Sequence, residues 1–181
     1  MDKHFKTTAR LGLAIVALTL AIGIGAFVGG TMWSRSESSE RESLIDDIAE
    51  YHQIYSREHR HLVEVPATQG EELMAWLGNH VGRKIVAPDL AAAGLHFAGG
   101  RILVVNGSPI AELMYTRDDA LPVALCILRT PWHDAPLNVE RRGLQRTASW
   151  IKAGFAYVVV GEIDDPTAAA LAALVGAQID G

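Results

Sequence analysis

From Leu11 to Trp33 the chain reads LGLAIVALTLAIGIGAFVGGTMW, twenty-three positions without a charged side chain. That run constrains everything after it. As a helix rising about 1.5 Å per residue it reaches about 35 Å, enough to cross a hydrocarbon core of about 30 Å with modest tilt. Its five glycines are compatible with a lipid environment because a helix satisfies its own N–H and C=O groups. The competing reading is a cleaved signal peptide, with Lys3, Lys6 and Arg10 as its basic start. The apolar run exceeds the roughly 7–15 residues of such a segment, which favours an anchor.

Orientation follows from the flanks. Lys3, Lys6 and Arg10 precede the run, against Arg35 and Arg41 after it, so the basic excess places the amino terminus in the cytoplasm. The expected location is the bacterial inner membrane, single-pass, with the carboxy-terminal domain in the periplasm. Within the run, Ala17, Ala21, Gly25 and Gly29 recur every fourth residue and make one stripe of small side chains. Such a stripe lets a second helix approach closely, so it is a candidate partner-binding face. Another membrane protein or complex, or a second copy of the chain, would use it.

The 148 residues beyond Trp33 suffice for one domain and a tether. They carry 13 basic and 20 acidic residues, a formal −7, which argues against nucleic acid as a partner. Cys126 is the only cysteine, so an internal disulfide and a thiolate metal cluster are both excluded.

The expected organisation is a short cytoplasmic tail over 1–10, the membrane helix over 11–33, a juxtamembrane spacer and stalk helix over 34–60, and an extracytoplasmic domain over 61–181. Leu44, Ile48, Tyr51 and Tyr55 follow at helical spacing in the stalk, from about Ser39 to Glu58, and form a second candidate partner-binding face. His52, His59 and His61 lie close in sequence but without metal-ligand spacing, so no metal is expected.

Past the stalk the period changes. Leu62–Val65 reads as a short strand ending at Pro66. Leu73, Trp76, Leu77, His80 and Val81 mark an amphipathic helix entered through Thr68-x-x-Glu71 and closed at Gly82. Leu95–Val105 reads as a strand with a bulge or turn at Gly99-Gly100, and Asn106-Gly107 is a strong hairpin signal leading into Ile110–Thr116. Leu121–Arg129 is apolar on both faces and therefore central, with Cys126 as a buried hydrophobe. Pro131–Gly143 reads as an exposed loop, with Trp132 either folded back on the core, the favoured reading, or available to a partner. Leu144–Ile151 and Phe155–Ile163 form a last hairpin, and Asp165-Pro166 opens a closing helix with Asp165 as its cap. The prediction is an α+β fold: membrane helix, stalk helix, and an antiparallel meander with two packed helices.

Catalytic signatures are missing. The sequence has no Gly-x-Ser-x-Gly elbow, His-Glu-x-x-His pair, phosphate-binding Gly-Lys-Ser loop or Cys-x-x-Cys-His haem attachment. Glu64 and Glu112 fall on strands and are expected on a solvated face. No catalytic residue, cofactor or enzymatic activity is expected.

Several segments of the exterior part resemble a known family in their wording and order. They are His61–Ala67 (HLVEVPA), Glu72–Leu77 (ELMAWL), Ala87–Leu90 (APDL), Phe97–Leu103 (FAGGRIL), Met114-Tyr115 and Gly154–Glu162 (GFAYVVVGE). Together they are similar to the periplasmic part of proteobacterial transmembrane anti-sigma factors. The resemblance implies a non-enzymatic regulator in transcription control, with a periplasmic sensor or partner-binding domain. In that family a cytoplasmic zinc-binding domain with a His-x-x-x-Cys-x-x-Cys pattern precedes the membrane helix and holds a sigma factor. This chain has ten residues there and no cysteine among them. The alternative reading is an accessory (supernumerary) subunit docked on a larger bacterial membrane complex, such as a respiratory complex, through its membrane helix and periplasmic domain.

Overall fold

The computed structural model describes residues 37–58 and 61–179. The membrane helix expected over 11–33 lies outside them, and among the described residues no helix is long and apolar enough to cross a membrane. The chain divides into two units, Met1–Glu42 and Ser43–Gly181. A helix, α1, covers 37–55, and its part from Ser43 onward belongs to the second unit together with the whole of the sheet.

Among the described residues seven strands make one antiparallel sheet. They are β1 (Val65–Pro66), β2 (His96–Val105), β3 (Ser108–Arg117), β4 (Ala120–Arg129), β5 (Ala135–Arg142), β6 (Gln145–Lys152) and β7 (Phe155–Gly161). Their spatial order is β1-β2-β3-β4-β7-β6-β5. Helix α2 (Gly70–Val81) lies between β1 and β2 in sequence, and α3 (Asp165–Ile179) follows β7. The α+β class is therefore as expected, but a simple meander is not what forms. Strand β7 pairs with β4 on one side and β6 on the other. Its sequence is compatible with an inner place: FAYVVVG is apolar on both faces and is stable only where both faces are covered.

Strand β5 replaces the loop expected over Pro131–Gly143. It pairs only with β6 and takes the open edge, where Pro136 and a run of charged residues are tolerated and discourage pairing with other chains. The first strand is shorter than expected, two residues against Gly99 and Gly100. There the β2 register shifts between Phe97 and Gly99, and Gly99 adopts φ 140, a value that side chains rarely allow. The β2–β3 hairpin closes through Asn106 and Gly107, both at positive φ, the geometry that matches strand twist.

Both faces of the sheet are buried. On one, Leu73 and Leu77 of α2 and Leu171 and Val175 of α3 meet Leu113, Leu125 and Val159. On the other, Leu44, Ile45, Ile48 and Ala49 of α1 meet Ile110, Met114, Cys126 and Val158. Strand β4 shows the alternation: Val123, Leu125 and Ile127 serve the first core, and Ala124, Cys126 and Leu128 the second. Trp132 packs, partly buried, against the α1 core.

Helix α1 is thus no free stalk. Its inner face is Leu44, Ile45, Ile48, Ala49 and His52, continued by Ser56 in the turn that follows, all buried, rotated away from the face expected through Tyr51 and Tyr55. Asp46 pairs with Arg142 at the end of β5 at 2.6 Å, and Asp47 lies 3.5 Å from Asn106 in the β2–β3 turn. Strands β2 and β5 stand five places apart, about 24 Å in a flat sheet. Contact of both with neighbouring residues of one helix shows the sheet twisting and curling over α1.

Two helix entries also differ from expectation. Helix α2 begins at Gly70 with no side-chain cap, so Thr68 is not its N-cap. In α3 the cap is Asp164, whose Oδ1 accepts the Thr167 amide at 2.9 Å, one residue before the expected Asp165.

Candidate functional site

The feature of this fold that simple packing does not require is a group of polar side chains under α1. Arg101 of β2 and Glu112 of β3 are direct cross-strand partners. Their side chains are 6% and 2% exposed, with Arg101 Nε 3.0 Å from Glu112 Oε2. The contact is an ion pair whose alignment falls short of a hydrogen bond, for both atoms lack a hydrogen-bond partner. The guanidinium is held on its other side. Arg101 Nη2 donates to His61 O at 2.9 Å and to Leu62 O, and the group lies 4.6 Å from the centre of the Tyr55 ring.

His52 completes the group from above. It is 1% exposed, and its Nε2 lies 3.1 Å from Pro122 O. A carbonyl only accepts, so Nε2 carries the proton and donates. Nδ1 then faces Glu112 Oε1 at 4.0 Å and has no hydrogen-bond partner; nor does the Ser56 hydroxyl, also buried, one helical turn further on. Cys126 is the register partner of Glu112 on β4. Burial pushes its thiol well above the usual range, the Glu112 charge adds to this, and Arg101 opposes it. A thiol so raised is no nucleophile.

Arg101 and Glu112 carry opposite charges, and every member of the group is buried. Desolvating two charges is expensive, and the attraction regained depends on complete hydrogen bonding. Here the bonding is incomplete, so the α1–sheet contact is a polar seam within an otherwise apolar core. The pairs that bound it are exposed ones, Arg57 with Glu162 at 2.6 Å and Asp46 with Arg142, and such pairs add little.

No protein-family model, no curated protein and no solved structure matches the chain.

The candidates read from the sequence have different fates in the structure. Ala17, Ala21, Gly25 and Gly29 lie outside the described residues. Leu44 and Ile48 are buried against the chain's own sheet, which withdraws them from any partner. The reason is that this sheet face is itself apolar and takes them first. Tyr51 is 40% exposed and stacks on Tyr55, ring centres 6.4 Å apart, while Tyr55 itself lies half-buried against Arg101, so Tyr51 of the proposed stalk face and the neighbouring Ile54 look outward. Of the three histidines, His52 is buried, His61 contributes a backbone carbonyl to Arg101, and His59 lies outside the described residues. Among the described residues no group of three His, Cys, Asp or Glu is placed to hold a metal ion.

Glu112 is the main correction, since a solvated position was expected and a buried one is found. A signal was available. A two-residue turn at Asn106-Gly107 pairs residues whose numbers add to a constant, which sets Arg101 opposite Glu112. Leu103, Val105, Ile110 and Met114 flank them on the same face. Opposite charges in register, bracketed by core positions, spell a buried pair.

Proposed function

We propose that the chain is a membrane-anchored, non-enzymatic regulatory protein of the anti-sigma-like kind. Its exterior domain recognises a signal or partner, and α1 carries the response to the membrane helix over 11–33. The observation that supports this reading is the seating of α1. A passive tether has no need of buried polar contacts with the domain it carries, yet α1 places His52 and Ser56 in that domain's core beside Arg101 and Glu112. An element held by an imperfectly satisfied polar seam has a smaller free-energy gap to release than one held by apolar packing alone. In this reading the response passes to a second membrane protein packed on the Ala17, Ala21, Gly25 and Gly29 face.

The test is purification of the full chain from its native membrane in mild detergent, with identification of what accompanies it. A stoichiometric membrane partner is expected. The double change Gly25→Leu, Gly29→Leu is expected to release that partner and leave the exterior domain's melting temperature unchanged. Retention of the partner in that variant, with loss on changing Tyr51 and Ile54 to Ala, would move the interface to the outer face of α1. Recovery only as a fixed component of a large enzyme complex, with transcription unaffected by deletion, would favour the accessory-subunit reading.

A further inference from the structure

On the sheet face opposite α1, helix α2 leaves its outer side open. Gly70, Met74, Gly78 and Gly82 follow at every fourth position, and the chain then doubles back along them through 83–87. The return is tight, since a Cβ at Gly78 would come 2.7 Å from Arg83 O. Between helix and return segment lies a cleft of about 780 Å³, within the roughly 300–1,000 Å³ typical of ligand sites. Its lining is mainly apolar, with Met74, Ala75, Ile85 and Val86 among the residues that form it. Val86 is 57% exposed in the present state, a large aliphatic side chain with nothing over it.

The two ends of the cleft differ in charge. Glu71 stands at the start of α2, whereas Arg83 and Lys84 line the other end. A third cation joins them, because a Cβ at Gly82 would lie 3.8 Å from Arg129 Nε. Arg83 and Arg129 both lie against the Phe155 ring, 4.7 and 5.7 Å from its centre, and Arg83 donates to the Tyr157 hydroxyl, a neutral group. Among the described residues none of the three cations forms an ion pair with a carboxylate. The carbonyls at the end of α2 favour cations nearby. They do not neutralise three, and acids are in excess elsewhere on the exterior part.

We propose that this cleft binds a long-chain carboxylate, its acyl chain lying along α2 and its headgroup among Arg83, Lys84 and Arg129. The cleft can follow α2 for about 18 Å, which suits a single extended chain. Cations at one end and Glu71 at the other select one anionic terminus and disfavour a second. A neutral amphiphile would leave the cationic end unanswered. The site is remote from the α1 seam, so it stands or falls independently of the function proposed above.

The experiment uses the full chain in phosphatidylcholine nanodiscs and, as probe, hexadecanoate carrying a photoreactive diazirine on its chain. Photolysis followed by peptide mapping is expected to place the label on the peptides spanning 70–87, with unlabelled hexadecanoate in excess displacing it. Val86→Glu sets an acid in the apolar trough at an exposed position and is expected to abolish that label. Lys84→Glu with Arg129→Glu is expected to reduce it about five- to tenfold, the scale of losing two exposed charge contacts. Unchanged melting temperatures confirm that both variants fold; if either fails, Lys84→Gln is read in its place and is expected to weaken labelling. Labelling confined to other segments would overturn the proposal. So would equal labelling by the corresponding uncharged amide, or labelling indifferent to Val86→Glu.

Discussion

Arg101 and Glu112 allow the polar seam under α1 to be tested quantitatively, in a fragment beginning at residue 37. Glu112→Leu leaves a guanidinium buried without its counter-charge, and Arg101→Met leaves a buried carboxylate. Each removal of one partner from a buried pair costs about 3–5 kcal/mol. For a domain of this size that corresponds to a fall in melting temperature of about 10–15 °C. The double variant behaves differently, because both charges leave together and Met and Leu fill an apolar site of similar shape. Its remaining loss is set by the carbonyls of His61 and Leu62, deprived of the Arg101 donor, at about 1 kcal/mol each. The double variant should therefore be more stable than either single one, with a coupling energy of several kcal/mol. Urea unfolding followed by the fluorescence of Trp76, Trp132 and Trp150 measures all four corners of the cycle. Single-variant losses below about 1 kcal/mol, the range of solvated pairs, would refute the reasoning, as would simple additivity.

Three further outcomes are expected. Cys126, buried and with its thiol pushed up, should resist a maleimide at pH 8 in the folded protein and react promptly once urea unfolds it; labelling of the native form at the unfolded rate would contradict the burial. Gly99→Ala should prevent β1 from docking, because its Cβ would lie 2.2 Å from Val65 O at a φ that disfavours any side chain, and hydrogen exchange at Gly100 and Glu64 would report the loss. Asp164 is held below the ordinary carboxylate range by hydrogen bonds from Thr167, side chain first and then backbone; its folded value is depressed, so the stabilisation is present above the unfolded pKa of about 3.9 and is lost as pH falls through the folded value. The melting temperature of the native domain should therefore drop more steeply below about pH 4 than that of Asp164→Asn, which keeps the cap without the charge.

Much of the architecture is legible in the sequence, and the misses share a cause. Periodicity finds β2, β3, β4, β6 and β7 because their core-facing residues are apolar, and Asn106-Gly107 fixes the first hairpin. Strand β5 escapes notice since an edge strand with one paired side needs neither a continuous apolar face nor an absence of proline. The place of β7 beside β4 is a long-range choice among apolar strands, which no local pattern encodes. For α1 the helix itself is evident, but not which way it turns. Its pattern offers two apolar stripes, one through Tyr51 and Tyr55 and one through Ile45 and Ala49. The sheet resolves the choice through Arg101 and Glu112.

That choice bears on what α1 is for. Had the helix turned Tyr51 inward in place of His52, a ring would have met the buried ion pair where the imidazole now stands, in addition to the Tyr55 ring that already lies 4.6 Å from Arg101. Turning His52 and Ser56 inward brings polar atoms to the pair and leaves Tyr51 and Ile54 outside. The interface that results is specific in register yet incompletely bonded, since His52 Nδ1 and Ser56 Oγ keep unused hydrogen-bonding capacity. Apolar contacts above it, from Leu44 to Ala49, hold the helix regardless of the polar group. Release is therefore expected to begin at the His52–Ser56 end of α1, furthest in sequence from the segment over 11–33, and to proceed toward Ser43. Under the function proposed above, a change on the sheet would reach the segment over 11–33 in that order, through the helix.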